Sequence, residues 1–547
     1  MYSDFQMKSS IIEKNRNMKP KFFISEKLLS DVKSNFQKKS IFLNQNYKMT
    51  LISLFCLVGS FLRIYYYLLN RSLWLDEAML AINIINRTWR NLFQPLDYHQ
   101  ATPLGFLFLE KLAVTLFGNS EYSLRLIPLI SGLFSVLLIY IIARKFMTGV
   151  APYLALGLFC FTPKLVYYSS EVKQYSSDVL CTLLLILFFL KCITDDHKPQ
   201  TIIHLCIIGS LSIWISHPSF FILIAILITL IWSYFKRKDL TLLLYIIGSG
   251  VIWFINFGIT YLISLRHLVS SNSLISYWSN GFAPFPPWKD PGWFIESFKD
   301  LLNDPMGLPE NIIIIFLLFI GIFSLAQKKQ PFLSIFIFTF ILILSASSVQ
   351  KYPFQGRLIL FLVPLLLIVL SEAIEWVYSS LQPLNRLISL FITFGIIIYI
   401  FIFPIKETMS SYLLNPSMGE HIRPVVSYII QNRQEEDLIY IYFGAVPAFQ
   451  FYAPRFNLGR EDYISGVYAR QKPELYIRDI LSLRDNKRVW FVFSHNCSWC
   501  IVNEQQYYLD YLNTNGQLLS EYFSEGAAVY LYDLTSQPLR LQYYAVY

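Results

Sequence analysis

Eleven stretches of this chain are long and apolar enough to cross a lipid bilayer, and nothing else in the sequence restricts its fold as strongly. They lie at 50–69, 125–143, 150–168, 178–194, 201–216, 218–235, 242–264, 310–326, 331–348, 358–377 and 384–404. Runs of about 17–25 apolar residues match the hydrocarbon core, where backbone amides must be satisfied within their own segment, so each run is expected to be a helix. The chain is 55% hydrophobic and only 15% charged, against about 25% charged in ordinary soluble proteins. The expected fold class is a polytopic α-helical membrane protein of about eleven spans.

A twelfth run, 103–117, is shorter, carries Glu110 and Lys111 and opens at Pro103, and reads as an interfacial or re-entrant helix. The positive-inside rule supports leaving it out of the spans. With a cytoplasmic N-terminus, the internal loops then carry Arg144-Lys145, Lys191 with Lys198, Lys236-Arg237-Lys238 and Lys328-Lys329. Counting 103–117 as a span would invert every later loop. The formal charge of +9 is thus an orientation signal, with +6 of it in residues 1–49, and no nucleic-acid partner is implied. Three parts are expected: a basic, disordered cytoplasmic tail (1–49), a transmembrane domain (50–404) and an extracytoplasmic α/β domain (405–547). The first run should act as a membrane anchor, placing the protein in the plasma (inner) membrane as a multi-pass protein. The last part holds twelve Lys/Arg and fifteen Asp/Glu, an amphipathic helix near 419–433, and strand-like runs at 438–443, 489–493 and 528–532.

The first external loop, 70–124, contains RSLWLDEAMLAINIINRTW, with Asp76 and Glu77 adjacent at the start of an amphipathic helix. Acidic residues also cap helices through the macrodipole, but at a membrane surface a carboxylate can meet a lipid-linked substrate as a general base. LDYHQATPLGFLFLEK follows, with Asp97, His99 and Gln100 ahead of Pro103. In YYSSEVKQYSSDVL, Glu171 and Asp178 are seven apart, which on one helix puts them in line with Gln174 and Tyr175 and leaves Lys173 off that line. Ionisable groups at the edge of a span are costly unless they face a cavity. SSVQKYPFQGRLILFLVP places Lys351 and Arg357 outside, against the positive-inside bias, where cations suit a phosphate. His217-Pro218, at another outer turn, is a weaker signal. Five of the seven cysteines sit in apolar runs, so no disulfide framework is implied. Cys497 and Cys500, in HNCSWC, read as a local disulfide or idle thiols. No phosphate-binding glycine loop or convincing metal-ligand spacing is present in the sequence.

The order WLDEAML, ATPLGFLFLEK, GNSEYSLRLIPLISG, YYSSEVKQYSSD and YPFQGRLILFLVP resembles the GT-C superfamily of integral-membrane glycosyltransferases. The branch is that of protein O-mannosyltransferases (glycosyltransferase family 39) and the lipid A aminoarabinose transferase, and the similarity covers about residues 50–400. It implies an inverting hexosyl- or mannosyltransferase-like enzyme that moves a sugar from a polyprenyl-phosphate carrier to a glycan, lipid or protein acceptor on the extracytoplasmic face. By the family pattern Asp76 is the base and Glu77 orients the acceptor or the loop. Arg357, with Lys351 or Lys173, stabilises the leaving phosphate, and His99, Glu171, Tyr175 and Asp178 complete the substrate-binding set. Where the lipid A branch has a Glu-Lys pair before the proline, this chain has Ala101-Thr102. That departure removes the branch's phosphate lysine and argues against a lipid A enzyme. No metal is firmly indicated, because some GT-C enzymes use one and others do not. Two other classes, a flippase of lipid-linked glycans and a polysaccharide ligase or polymerase, fit less well. No internal repeat is visible, and the most chemically loaded loop is the first rather than a late one.

Overall fold

The computed structural model describes residues 48–194, 198–269, 272–484, 486–496 and 503–535. The N-terminal tail up to residue 47 and the Cys497/Cys500 pair lie outside the described residues. Two compact units are present, Met1–Leu54 and Phe55–Tyr547; of the first, the described residues from Lys48 are helical.

Among the described residues eight helices are long and apolar enough to cross a membrane: Lys48–Leu68, Glu121–Phe146, Tyr175–Thr194, Ser219–Arg237, Leu240–Leu265, Pro331–Ser348, Gly356–Leu381 and Arg386–Leu414. Three shorter apolar helices, Ala151–Phe161, Pro199–Ile215 and Ile312–Gln327, occupy the remaining apolar runs. The chain is a multi-pass membrane protein. Helix starts follow from local sequence: Asn311 and Asn385 accept amides of their own first turns, and Pro152, Pro199 and Pro331 stand in first turns where a missing N–H costs nothing.

Two expectations need correcting. The run 150–168 is not one helix, because Thr162 is extended ahead of Pro163, which restarts the chain as a short turn Pro163–Tyr167. Nor does one helix carry both Glu171 and Asp178: residues 168–170 form a 3-10 turn, Glu171 is extended, and the next helix begins at Tyr175.

The Gly356–Leu381 helix is almost wholly buried among the others. Ile312–Gln327 lies so close to it that a Cβ at Gly321 would sit 2.1 Å from the Val369 carbonyl oxygen. Such small-residue contacts let membrane helices approach backbone to backbone.

The C-terminal sheet has five strands, β1 (Leu438–Ile441), β2 (Ile464–Ser465), β3 (Val489–Ser494), β4 (Gln517–Ser524) and β5 (Ala527–Asp533). Their order is β2-β1-β3-β5-β4. β1 runs parallel to β2 and β3, while β3–β5 and β4–β5 are antiparallel, the last closed by a turn in which Gly526 has φ 65°. One face buries Ile439, Ile441, Trp490, Val492 and Val529 in a core continuous with Leu73, Leu80 and Ile84 of the first loop. The other face buries Tyr440, Phe491, Phe493 and Tyr508. Arg423 and Arg455 both reach Glu121, at 2.8 and 2.6 Å, and Tyr452 donates to the same carboxylate at 2.9 Å. These bonds fix the sheet region onto the start of the Glu121–Phe146 helix.

Candidate active site

The Leu75–Asn86 helix starts with Asp76 and Glu77 in its first turn, and its N-cap, Trp74, supplies no side-chain cap. The orphan Leu75 amide instead donates to Glu420 Oε2 at 2.9 Å, and Glu420 Oε1 is held by His495 Nδ1 at 2.6 Å. A carboxylate from the sheet region thus caps the helix that carries the acidic pair.

Successive residues on a helix diverge by about 100°, and here the divergence separates two roles. Glu77 turns into the core, fully buried, where Arg125 Nε and Nη2 donate to its two oxygens at 2.9 and 2.6 Å. The Val172 amide adds a third bond at 2.8 Å. Glu77 thereby ties the start of the Leu75–Asn86 helix to Arg125 and to the backbone at Val172.

Asp76 turns the other way. Lys173 Nζ donates to its Oδ1 at 2.9 Å, Gln100 Nε2 donates to the same oxygen at 3.2 Å, and Arg357 Nη1 pairs with Oδ2 at 2.9 Å. The Arg357 contact lacks the alignment of a hydrogen bond, which leaves Asp76 Oδ2 and Arg357 Nε without hydrogen-bond partners among the described residues. Burial alone would raise the Asp76 carboxyl, but the two cations override it and hold the group well below the usual carboxylate range. Burial lowers Lys173, and the nearby Arg357 charge acts in the same direction. The guanidinium of Arg357 is flanked by the rings of Trp74, Tyr175 and Trp278, each 5.7–5.8 Å from its centre.

Glu171 lies beside this cluster, fully buried, accepting from Trp74 Nε1 at 3.3 Å and leaving Oε2 unpartnered among the described residues. Burial, with the charge of Glu77 in support, pushes its carboxyl up to about 7. Behind Tyr175 and Trp278 opens a cavity of about 460 Å³, lined also by Gln174, Asp178, His217 and Lys351 and otherwise mainly by apolar and aromatic side chains.

The fold therefore gathers Asp76, Lys173 and Arg357 in direct contact, with Glu171 and Tyr175 around them and Asp178 and Lys351 on the adjoining cavity. His99 is not part of this group. The chain passes through φ 60° at Tyr98 and 52° at His99, leaving His99 exposed on a separate cavity of about 70 Å³. Its neighbour Gln100 reaches the site instead, accepting from Lys173 at 2.6 Å while donating to Asp76. One helix from Glu171 onward would set Lys173 off the Glu171–Asp178 line; the extended stretch before Tyr175 instead brings it onto Asp76. Gln100 was visible in the sequence beside His99 ahead of Pro103, whereas Trp74 and Glu420 carry no sequence signal strong enough to mark them as part of the site. Among the described residues no group of three or more His, Cys, Asp or Glu side chains is placed to hold a metal ion.

One region is similar to a known family. Residues 101–259 match the family model of dolichyl-phosphate-mannose-protein mannosyltransferases. The matched segment holds Lys173, Tyr175, Asp178 and His217, while Asp76 and Arg357 lie outside it. No curated protein matches the chain in sequence. Solved structures similar to it include ArnT from Cupriavidus metallidurans bound to undecaprenyl phosphate, at 13% identity and TM-score 0.49, covering 89% of this chain and 98% of that one. Another is the Archaeoglobus fulgidus oligosaccharyltransferase in complex with Zn and sulfate, at 14% identity and TM-score 0.49, covering 81% of this chain and 67% of that one. A third is AglB from the same archaeon, with an inhibitory peptide and a dolichol-phosphate, at 14% identity and TM-score 0.48, covering 91% and 75%.

Proposed function

We propose that this protein is a glycosyltransferase that moves a sugar from a polyprenyl-phosphate carrier to an acceptor hydroxyl, with inversion, on the extracytoplasmic side of the membrane. The observation that carries the reading is a single carboxylate, Asp76, held between Lys173 and Arg357 at 2.9 Å each beside a largely apolar cavity. The match of residues 101–259 to a lipid-phosphate mannosyltransferase family supports it.

In this reading the cations have two successive partners. At rest they neutralise Asp76 and make it a poor base. A donor phosphate entering the site competes for Arg357 and Lys173, and as it draws them off the basicity of Asp76 recovers. Asp76 then takes the acceptor's proton while the acceptor oxygen attacks the anomeric carbon. The bond from that carbon to the phosphate oxygen breaks, and the leaving polyprenyl phosphate keeps the electron pair against the two cations. A hexose such as mannose as the transferred sugar, and a glycan, lipid or protein as acceptor, fit this arrangement.

The test is Asp76→Asn in the purified full chain, reconstituted with undecaprenyl-phosphate mannose and a membrane extract as acceptor source. Normal insertion with loss of at least about 10²-fold in transfer is expected for removal of a general base. Near-full activity would exclude Asp76 as the base, and lipid translocation with no new glycosidic bond would favour a flippase.

A further inference from the structure

The lining of the 460 Å³ cavity includes side chains that the transfer step leaves unused. Gln174 Oε1 and His217 Nε2 belong to residues lining that cavity, are buried, and have no hydrogen-bond partner among the described residues; Asp178, on the same cavity, has the Ser216 hydroxyl beside its carboxyl and leaves Oδ1 unpartnered among them. A buried polar atom left unpaired is costly, and three at one cavity point to a ligand that completes them.

Their chemistry states what the ligand must bring. Gln174 is oriented by its own amide, which donates to the Ala101 carbonyl at 3.2 Å, so its free end is an acceptor. Asp178 offers a carboxyl oxygen. Burial lowers His217 to about 4, so its imidazole is neutral at physiological pH and can take either hydrogen-bond role. Tyr352, on the same cavity, already donates to the Leu358 carbonyl at 2.7 Å. Lys351 is the cation on this cavity, and it lies at an exposed position. A phosphate set against Gln174 Oε1 would put acceptor against acceptor. An apolar chain would leave all three atoms unpaired. A ring bearing several hydroxyls satisfies them, and its C–H faces pack on aromatic walls such as Phe220, Phe257 and Trp278.

We propose that Gln174, Asp178 and His217 form the subsite for the hydroxyls of the donor's sugar ring, while Arg357 and Lys173 take its phosphate. This rests on the reading of the protein as a polyprenyl-phosphate glycosyltransferase, and it separates recognition of the sugar from recognition of the carrier.

The experiment measures binding of three probes to the full chain in lipid nanodiscs: undecaprenyl phosphate alone, undecaprenyl-phosphate mannose and undecaprenyl-phosphate glucose. Wild type should bind at least one glycosylated lipid more tightly than the bare lipid, by roughly tenfold for each hydrogen bond made. Asp178→Leu and His217→Phe should each reduce that preference about tenfold, with a much smaller effect on the bare lipid, whose binding also reports a folded site. Asp178→Asn, which keeps an acceptor oxygen, should fall between and serves if the leucine variant does not fold. A preference unchanged in these variants, or none in wild type among lipids that do bind, overturns the subsite. Failure of wild type to bind any of the three overturns the reading as a polyprenyl-phosphate enzyme, and the subsite with it.

Discussion

Glu77→Gln separates a structural carboxylate from a reacting one. Glutamine keeps the volume of the side chain and can still accept the Val172 amide, but it leaves Arg125, 1% exposed, without its counter-ion. Two backbone carbonyls, those of Arg71 and Ser72, remain as its acceptors at 2.8 and 3.3 Å. Breaking a buried ion pair from one side costs about 3–5 kcal/mol. At about 2 cal/mol/K per residue, cooperative unfolding of the 547-residue chain has an entropy of roughly 1 kcal/mol/K, so the midpoint should fall by about 3–5 °C. The assay is thermal unfolding of the purified protein in one detergent at one scan rate, because unfolding of a membrane protein is rarely reversible. Adding Arg125→Met should restore part of the loss by removing the orphaned charge. A midpoint within about 1 °C of wild type, together with lost transfer, would refute the structural role and return Glu77 to the acceptor.

Three further outcomes follow from the geometry. Glu171 has a folded pKa of about 7, above its ordinary 4.5, so the stability it contributes is full below about 4.5 and lost as pH rises to about 7. Glu171→Gln should therefore flatten that part of the stability–pH curve and remove an activity limb near pH 7; thermal midpoints and rates measured from pH 4.5 to 8 in both proteins check it. Lys173→Met should raise the donor KM by more than about tenfold while the protein remains folded, since a charge-assisted bond to phosphate is worth about 1.5–3 kcal/mol; an unchanged KM would remove Lys173 from the phosphate. Gly321→Ala should abolish a monodisperse size-exclusion peak, because its Cβ would meet the Val369 carbonyl oxygen at 2.1 Å and neither helix backbone can retreat alone.

Much of the fold was legible because the bilayer imposes it. Every apolar run from 50–69 to 384–404 contains a helix, and the break within 150–168 falls at Pro163. The sheet was half legible. β1, β3 and β5 read as apolar runs, whereas the edge strand β4, QLLSEYFS, is largely exposed and mixes polar and apolar residues without a buried face to mark it. At the site, adjacency of Asp76 and Glu77 identified the turn but could not say which residue met Lys173 and Arg357, because that depends on where Arg125 lies. Lys173 was read against the wrong backbone. Gln100, Trp74 and His217 acquire meaning only through partners 24 to 97 residues away or through a shared cavity.

The bond from the Leu75 amide to Glu420 spans 345 residues, and that separation sets an order of events during synthesis. The segment bearing Asp76 leaves the ribosome among the first parts of the chain, yet the group that caps its helix is made only after every apolar run has been translated. His495, which steadies Glu420, is made later still. A chain interrupted between Arg357 and Glu420 has its cations and its carboxylate but not the fastening between them and the helix end. Capping of the helix that carries Asp76 thus waits on translation of the segment bearing Glu420 and His495.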